Sequence, residues 1–161
     1  IKDGFDEHIE AAGGGASVLE VSTQGIGTAV PGQIVSYLQA NPHIKYVALA
    51  LADLSIGVPE ALEQAGLLET VKITSRAPQA GNLANVQAGR EWTTVGEEMG
   101  SNGWRVIDGL ARLTLGETPN DEWFEPAGWA QIFTKDNVTQ TTEAPSTPGS
   151  PEAFLAAWGV E

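Results

Sequence analysis

The sequence predicts an α/β fold, a three-layer, doubly wound parallel sheet, on three observations. Segments of strand character alternate with segments of helical spacing, which specifies parallel strands joined by crossover helices. The run "YVALAL" (Tyr46 to Leu51) is apolar on both faces, as in a central strand covered by helices on each side. Glycines and an Asn-Pro pair fall where elements should stop.

In chain order, Phe5, His8, Ile9 and Ala12 recur at helical spacing, and Gly13 to Gly15 end that helix because three glycines lose too much backbone entropy to continue it. "SVLEVS" (Ser17 to Ser22) alternates with β-branched residues and predicts a strand, followed by the loop "TQGIGT". A helix over 29–40 carries Ile34, Val35 and Leu38 inward, accepts Pro31 in its first turn and breaks at Asn41 and Pro42. After "YVALAL" comes "DLSIGVPEALEQAG", a helix that Asp53 can cap, with Leu54, Val58 and Leu62 inward and Gly66 at its exit. "TVKITS" (Thr70 to Ser75) predicts a strand, "GNLANVQAG" (Gly81 to Gly89) a short helix and "WTTVG" (Trp92 to Gly96) another strand. A strongly amphipathic helix spans about Glu97 to Leu115, "WAQIFT" is a candidate strand, and "EAFLAAWG" closes the chain as a short helix. The Thr-, Ser- and Pro-rich stretch 139–151 cannot build a core and reads as a linker.

The chain of 161 residues, 42% hydrophobic and 18% charged, has the size and composition of one globular domain. Its 21 acidic against 8 basic residues give a formal net charge of −13, which repels nucleic-acid backbones. Cysteine is absent, excluding disulfides, thiol catalysis and cysteine-bound zinc. No run approaches the roughly 18 to 20 apolar residues needed to span a bilayer. The chain opens without an initiator Met, already inside a helix, and is expected to be a fragment of a longer protein.

Chemical motifs are few. The glycine groups do not follow the strand, glycine loop and helix order of a nucleotide site, and no phosphate-binding Lys follows "GIG". His8 and His43 have no second ligand at metal spacing. Ser22, Ser55 and Ser75 lack a nucleophile elbow, and Ser55 reads as a first-turn helix residue. Glu97 and Glu98 are adjacent acids at a helix start, favoured there by the macrodipole. No cofactor, metal or catalytic constellation is expected. One positional argument remains: ligands of open parallel sheets bind outside the carboxyl ends of the strands, and those loops carry Ile26, Asp53, Arg76 and Glu97.

The order of "LQANPHIKYVALALADLSIGVPEALEQAGLLETVKIT", "VQAGREWTTVGEEMGSNGWRVIDGLARLTLGE" and "FTKDNV" resembles the C-terminal half of type I periplasmic solute-binding proteins, the ribose-binding-protein-like receptors of sugar ABC transporters. The anchors are the Asn-Pro before the central strand, Ala65-Gly66, Ala88-Gly89, "TTV" and "GLARLTLGE". The resemblance implies a Rossmann-like lobe over 1–138, with "TTV" and "WAQIFTKDNV" as hinge crossings, the helix over 97–116 packed on a missing N-terminal lobe, and 139–161 as linker and terminal helix. It implies a receptor that performs no chemistry, closes on a sugar or similar polar solute, and is read by a membrane permease. Its location would be periplasmic or extracellular, with a lipid anchor on the full-length protein compatible with that.

Residue by residue, Ile26 falls where sugar binders of this group often place a stacking ring, which isoleucine cannot reproduce. Leu51 and Ala52 replace the usual Asn and acid, so the polar work would shift to Asp53. Ala77 replaces the usual Asp, beside Arg76, and Glu97 takes the polar position after the fourth strand. The alternatives are the effector domain of a lactose-repressor-type regulator, whose usual "VP" and acid-rich turn before the third strand is not present in "AGLLETVKIT", and an enzyme on the same scaffold, for which no catalytic set is visible.

Overall fold

The computed structural model describes residues 2–97, 99–119, 130–142 and 149–160, with the backbone alone for Glu97, Met99, Gly100, Ser101 and Ser150. Its elements are α1 (Lys2–Ala11), a 3-10 turn (Thr23–Gly25), α2 (Ala29–Ala40), β1 (Tyr46–Ala48), a second 3-10 turn (Ala52–Ser55), α3 (Val58–Gln64), β2 (Lys72–Arg76), α4 (Ala80–Gln87), β3 (Thr93–Glu97), α5 (Met99–Thr114), β4 (Ala130–Thr134) and α6 (Ser150–Trp158). The sheet runs in the order β1-β2-β3-β4, parallel between the first three strands and antiparallel between β3 and β4. This is the α/β class with an open sheet that the alternation of elements predicts.

Strand alternation sorts the sheet into two unequal faces. Val47, Ile73, Ser75, Thr94 and Phe133 look toward α2, α3 and α4. There Val30, Ile34 and Leu38 of α2 pack with Val58, Leu62, Val71 and Ile73, and Leu83 and Val86 of α4 pack with Phe133 and Val138. The opposite face carries exposed Tyr46, Lys72 and Ile132 and half-buried Thr74, Thr93 and Val95. Of the three expected layers, the described contacts show the sheet and the helix layer over its first face. Gly96 serves the β3–β4 pairing: a Cβ there would stand 2.3 Å from Phe133 Cε2, so the ring packs over bare backbone.

Three expectations need correction. "YVALAL" is neither long nor central: β1 holds three residues at the edge of the described sheet, with one further ladder bond from Leu49 N to Thr74 O at 2.8 Å. An apolar run records that a segment can be buried on both sides, and neighbours must supply that burial; here one face and one edge lack it. "SVLEVS" forms no strand. Val18 and Leu19 are exposed, Val21 alone packs against the core, and Tyr37 OH donates to Ser17 Oγ at 3.0 Å. β-branched alternation without a strand to pair against produces no ladder. The helix expected from Asp53 begins five residues later. Gly57 takes the left-handed conformation at φ +78 and separates the 3-10 turn from α3, with Pro59 in the first turn of that helix.

Candidate functional site

Because β1, β2 and β3 are parallel, their carboxyl ends share one rim. β1 leads into the loop 49–57, which contains the 3-10 turn with Asp53; β2 ends at Arg76; β3 ends at Glu97. The loop before α2, with Ile26, reaches the same rim, because α2 runs back toward the start of β1. Close approach joins the two loops: a Cβ on Gly27 (φ +69) would lie 3.1 Å from Ile56 Cγ2, and one on Gly57 would lie 3.2 Å from Pro31 Cγ. Only glycine allows both the left-handed turns and this separation.

Each of the four residues has a definite placement. Ile26 closes the first 3-10 turn, with its N–H bonded to Thr23 O, and is half-buried. Asp53 is exposed on the second 3-10 turn; its carbonyl accepts from Ile56 N at 3.2 Å, and its side chain makes no cap to α3. The capping role expected of Asp53 is thus corrected: the intervening left-handed Gly57 moves the helix N-terminus out of its reach. Arg76 is half-buried and lies beside Val95 in register; the following Ala77 holds φ 60 while its N–H bonds Val95 O at 2.9 Å. Glu97 ends β3 two residues beyond Val95, opposite Ala130 of β4. The structure therefore brings all four positions to one rim, Ile26 and Asp53 on touching loops and Arg76 and Glu97 on adjacent strands.

Beneath the rim lies a polar cluster that the sequence reading missed. Glu91 is 1% exposed, and its carboxyl gathers side chains from three elements. Ser55 Oγ donates to Oε1 at 2.8 Å, Asn82 Nδ2 to Oε1 at 3.2 Å, Asn85 Nδ2 to Oε1 at 3.4 Å and Ser75 Oγ to Oε2 at 3.3 Å. Asn82 also donates to Ser55 Oγ at 2.7 Å and to the carbonyl of Ala52 at 3.1 Å, so it grips the Asp53 turn directly. Burial pushes the Glu91 carboxyl above the usual carboxylate range, opposed by the hydrogen bonds from Ser55, Asn82, Asn85 and Ser75. Among the described residues no buried side-chain nitrogen or oxygen lacks a partner. Ser55, expected as a first-turn helix residue, is instead part of this cluster. The available signal was a polar residue at inward positions of otherwise apolar spacing.

No group of His, Cys, Asp and Glu among the described residues could hold a metal ion, and no described helix is long and apolar enough to cross a membrane. The rim offers two acidic positions and one guanidinium. Such a set can accept hydrogen bonds from hydroxyls and donate a bidentate pair to an anionic group.

No family model matches the chain, and no curated protein matches it. Solved structures do. A solute-binding protein of an ABC transporter from Agrobacterium vitis, bound with alpha-D-tagatopyranose, superposes with a TM-score of 0.74 at 16% identity over 89% of this chain and 49% of its own. A second from the same organism, with bound D-fucose, gives 0.70 at 22% identity over 86% of this chain and 47% of its own. AraP, an arabinose-binding protein from Geobacillus stearothermophilus, gives 0.68 at 20% identity over 85% and 49%. The chain spans about half the length of each of these structures. It has the fold of one lobe of a type I periplasmic solute-binding protein.

Proposed function

We propose that the chain is the C-terminal lobe of the substrate-binding component of a bacterial ABC transporter, which captures a sugar or similar small polar solute between two lobes. The observation that carries this reading is the shared rim: Asp53, Arg76 and Glu97 at or just beyond the carboxyl ends of three parallel strands, with Ile26 on the adjoining loop before α2, in a fold that covers about half of sugar-bound receptors. On this reading Asp53 and Glu97 accept hydrogen bonds from solute hydroxyls, Arg76 donates to ring or carboxylate oxygens, and Ile26 packs against an apolar face of the solute. The protein binds and releases; it performs no chemistry, needs no cofactor, and presents its closed form to a permease outside the cytoplasmic membrane.

Two further features support a second lobe. Val106, Ile107, Leu110 and Leu113 lie exposed on α5, an apolar stripe that α6 does not cover. α6 packs on the other side of the helix, through Trp104, Phe154 and Trp158. In this reading 1–138 form the lobe, the N-terminal lobe covers the stripe, and 139–161 are a tail tied back onto α5.

A thermal-shift screen of aldoses, ketoses, polyols and small carboxylates on the intact protein tests the reading. One chemical class should raise the melting temperature in a saturable way, since a ligand that binds only the folded state stabilises it by mass action. No shift with any sugar or polyol would refute a sugar receptor.

A further inference from the structure

We propose that Glu91 is a positioning residue of the rim: its buried carboxyl binds the Asp53 turn, the end of β2 and the first turn of α4 into one preset unit. This rests on the reading of that rim as a binding wall. Three segments that follow one another only through long connections meet at this side chain: Ser55 from the 3-10 turn, Ser75 from β2, and Asn82 with Asn85 from α4. None of the four touches the rim surface through its own charge, because none has one. The turn that carries Asp53 is held by them and by the Asn82 bond to Ala52 O, while the Asp53 side chain itself remains exposed.

The hub is extended by a hydroxyl chain that runs into β3. Thr94 Oγ1 donates its single proton to the carbonyl of Ser75 at 3.2 Å, so it accepts the Ser75 hydroxyl proton at 2.9 Å. The one Ser75 hydroxyl proton is shared between Thr94 Oγ1 and the more distant Oε2 at 3.3 Å, which links Glu91 through Ser75 and Thr94 to the backbone. Oε1 remains supplied by the Ser55 hydroxyl. The hydrogen-bond partners are hydroxyls and amides, none charged. Of the ionisable groups on the surrounding elements, Asp53 is exposed, Arg76 falls on the opposite side of β2 from Ser75, and Arg90 is engaged by Glu60 at 3.1 Å and Glu63 at 3.0 Å. Burial among uncharged partners raises the Glu91 carboxyl above the usual carboxylate range, so its protonated form persists to higher pH in the fold than in the unfolded chain. Its stabilising effect is fully present below the ordinary carboxylate range and is lost as pH rises through its raised folded value.

The test uses the chain without any solute, so its failure and the failure of the receptor reading are separate events. Glu91→Gln keeps an uncharged side chain of the same length that still accepts hydrogen bonds, whereas Glu91→Ala removes the hub altogether. Melting temperature is followed from about pH 4 to about pH 9, together with hydrogen exchange at the Leu54 and Ile56 amides of the turn and at amides of α2. Glu91→Gln should retain slow exchange in the turn and melt above the parent at alkaline pH, the gap closing toward acid. Glu91→Ala should speed exchange at Leu54 and Ile56 by about tenfold or more while α2 changes less. If the alanine variant does not fold, the glutamine variant decides alone. A glutamine variant that falls further below the parent as pH rises, or an alanine variant whose turn exchanges as slowly as the parent's, overturns the proposal.

Discussion

Asp53 illustrates how the backbone beside a residue can relieve its side chain of a capping role. Left-handed Gly57 ends the 3-10 turn before α3 begins, so the Asp53 carboxylate supports no helix and remains exposed. Asp53→Ala should change stability by no more than about 0.5 kcal/mol, the range of surface substitutions, yet weaken solute binding by roughly tenfold through loss of a charge-assisted hydrogen bond. Calorimetric titration and thermal melting of the same variant separate the two effects. Gly96 is the opposite case, a residue whose role is entirely packing. Gly96→Ala drives a methyl into the Phe133 ring and should cost about 1–3 kcal/mol by denaturant melting. At this scale the sequence was partly legible. The strand-end positions follow from counting along parallel strands, but Glu91 does not, because a buried carboxyl is recognised by partners 6 to 36 residues away that only folding assembles.

At the scale of elements, helices α2, α4 and α5 fall close to where periodicity puts them, since an apolar stripe at helical spacing is a local property of the chain. β1 and "SVLEVS" do not, since a strand exists only through its neighbours and sequence alone does not show which edges are filled. The α2–α3 contact holds the first core, and Leu62, fully buried within it, should lose about 2–5 kcal/mol on replacement by Ala in a urea unfolding series. The α5–α6 contact is of another kind, an aromatic cluster fastened by Trp158 Nε1 donating to Asp108 Oδ1 at 2.8 Å. That bond, with Arg112 beside it, holds the Asp108 carboxyl below the usual carboxylate range. Stability from a depressed carboxyl is present above its unfolded value and lost as pH falls through the folded one. Acidification should therefore loosen α6 from α5 before the sheet melts, seen as a red shift of tryptophan emission that Trp158→Phe reduces.

For the whole molecule, the proposed receptor reading takes the rim of the sheet as one wall of a cleft and the exposed stripe of α5 as the surface that a second lobe covers. Isolated stripes of this kind are uncommon on monomeric proteins and mark interfaces. Leu110→Glu should hardly alter the melting of this chain by itself, because Leu110 is already exposed, but should destabilise a two-lobed protein in which the stripe is covered. Equal effects in both would leave α5 without a partner lobe. The half-length match to sugar receptors was legible as a resemblance of motif order, whereas the identity of the solute was not, because the resemblance puts apolar Leu51, Ala52 and Ala77 at positions where it implies polar contacts.

Calorimetric titration of the intact protein with the solute found by thermal shift, repeated on substitutions at the two ends of the sheet, bears most directly on the rim as the binding wall. Asp53→Ala and Arg76→Ala should each weaken affinity by about tenfold or more, while Ala at Tyr46 or Trp92, the exposed aromatic pair at the opposite end, leaves it unchanged. Affinity lost at Tyr46 and Trp92 and kept at Asp53 and Arg76 would contradict the account.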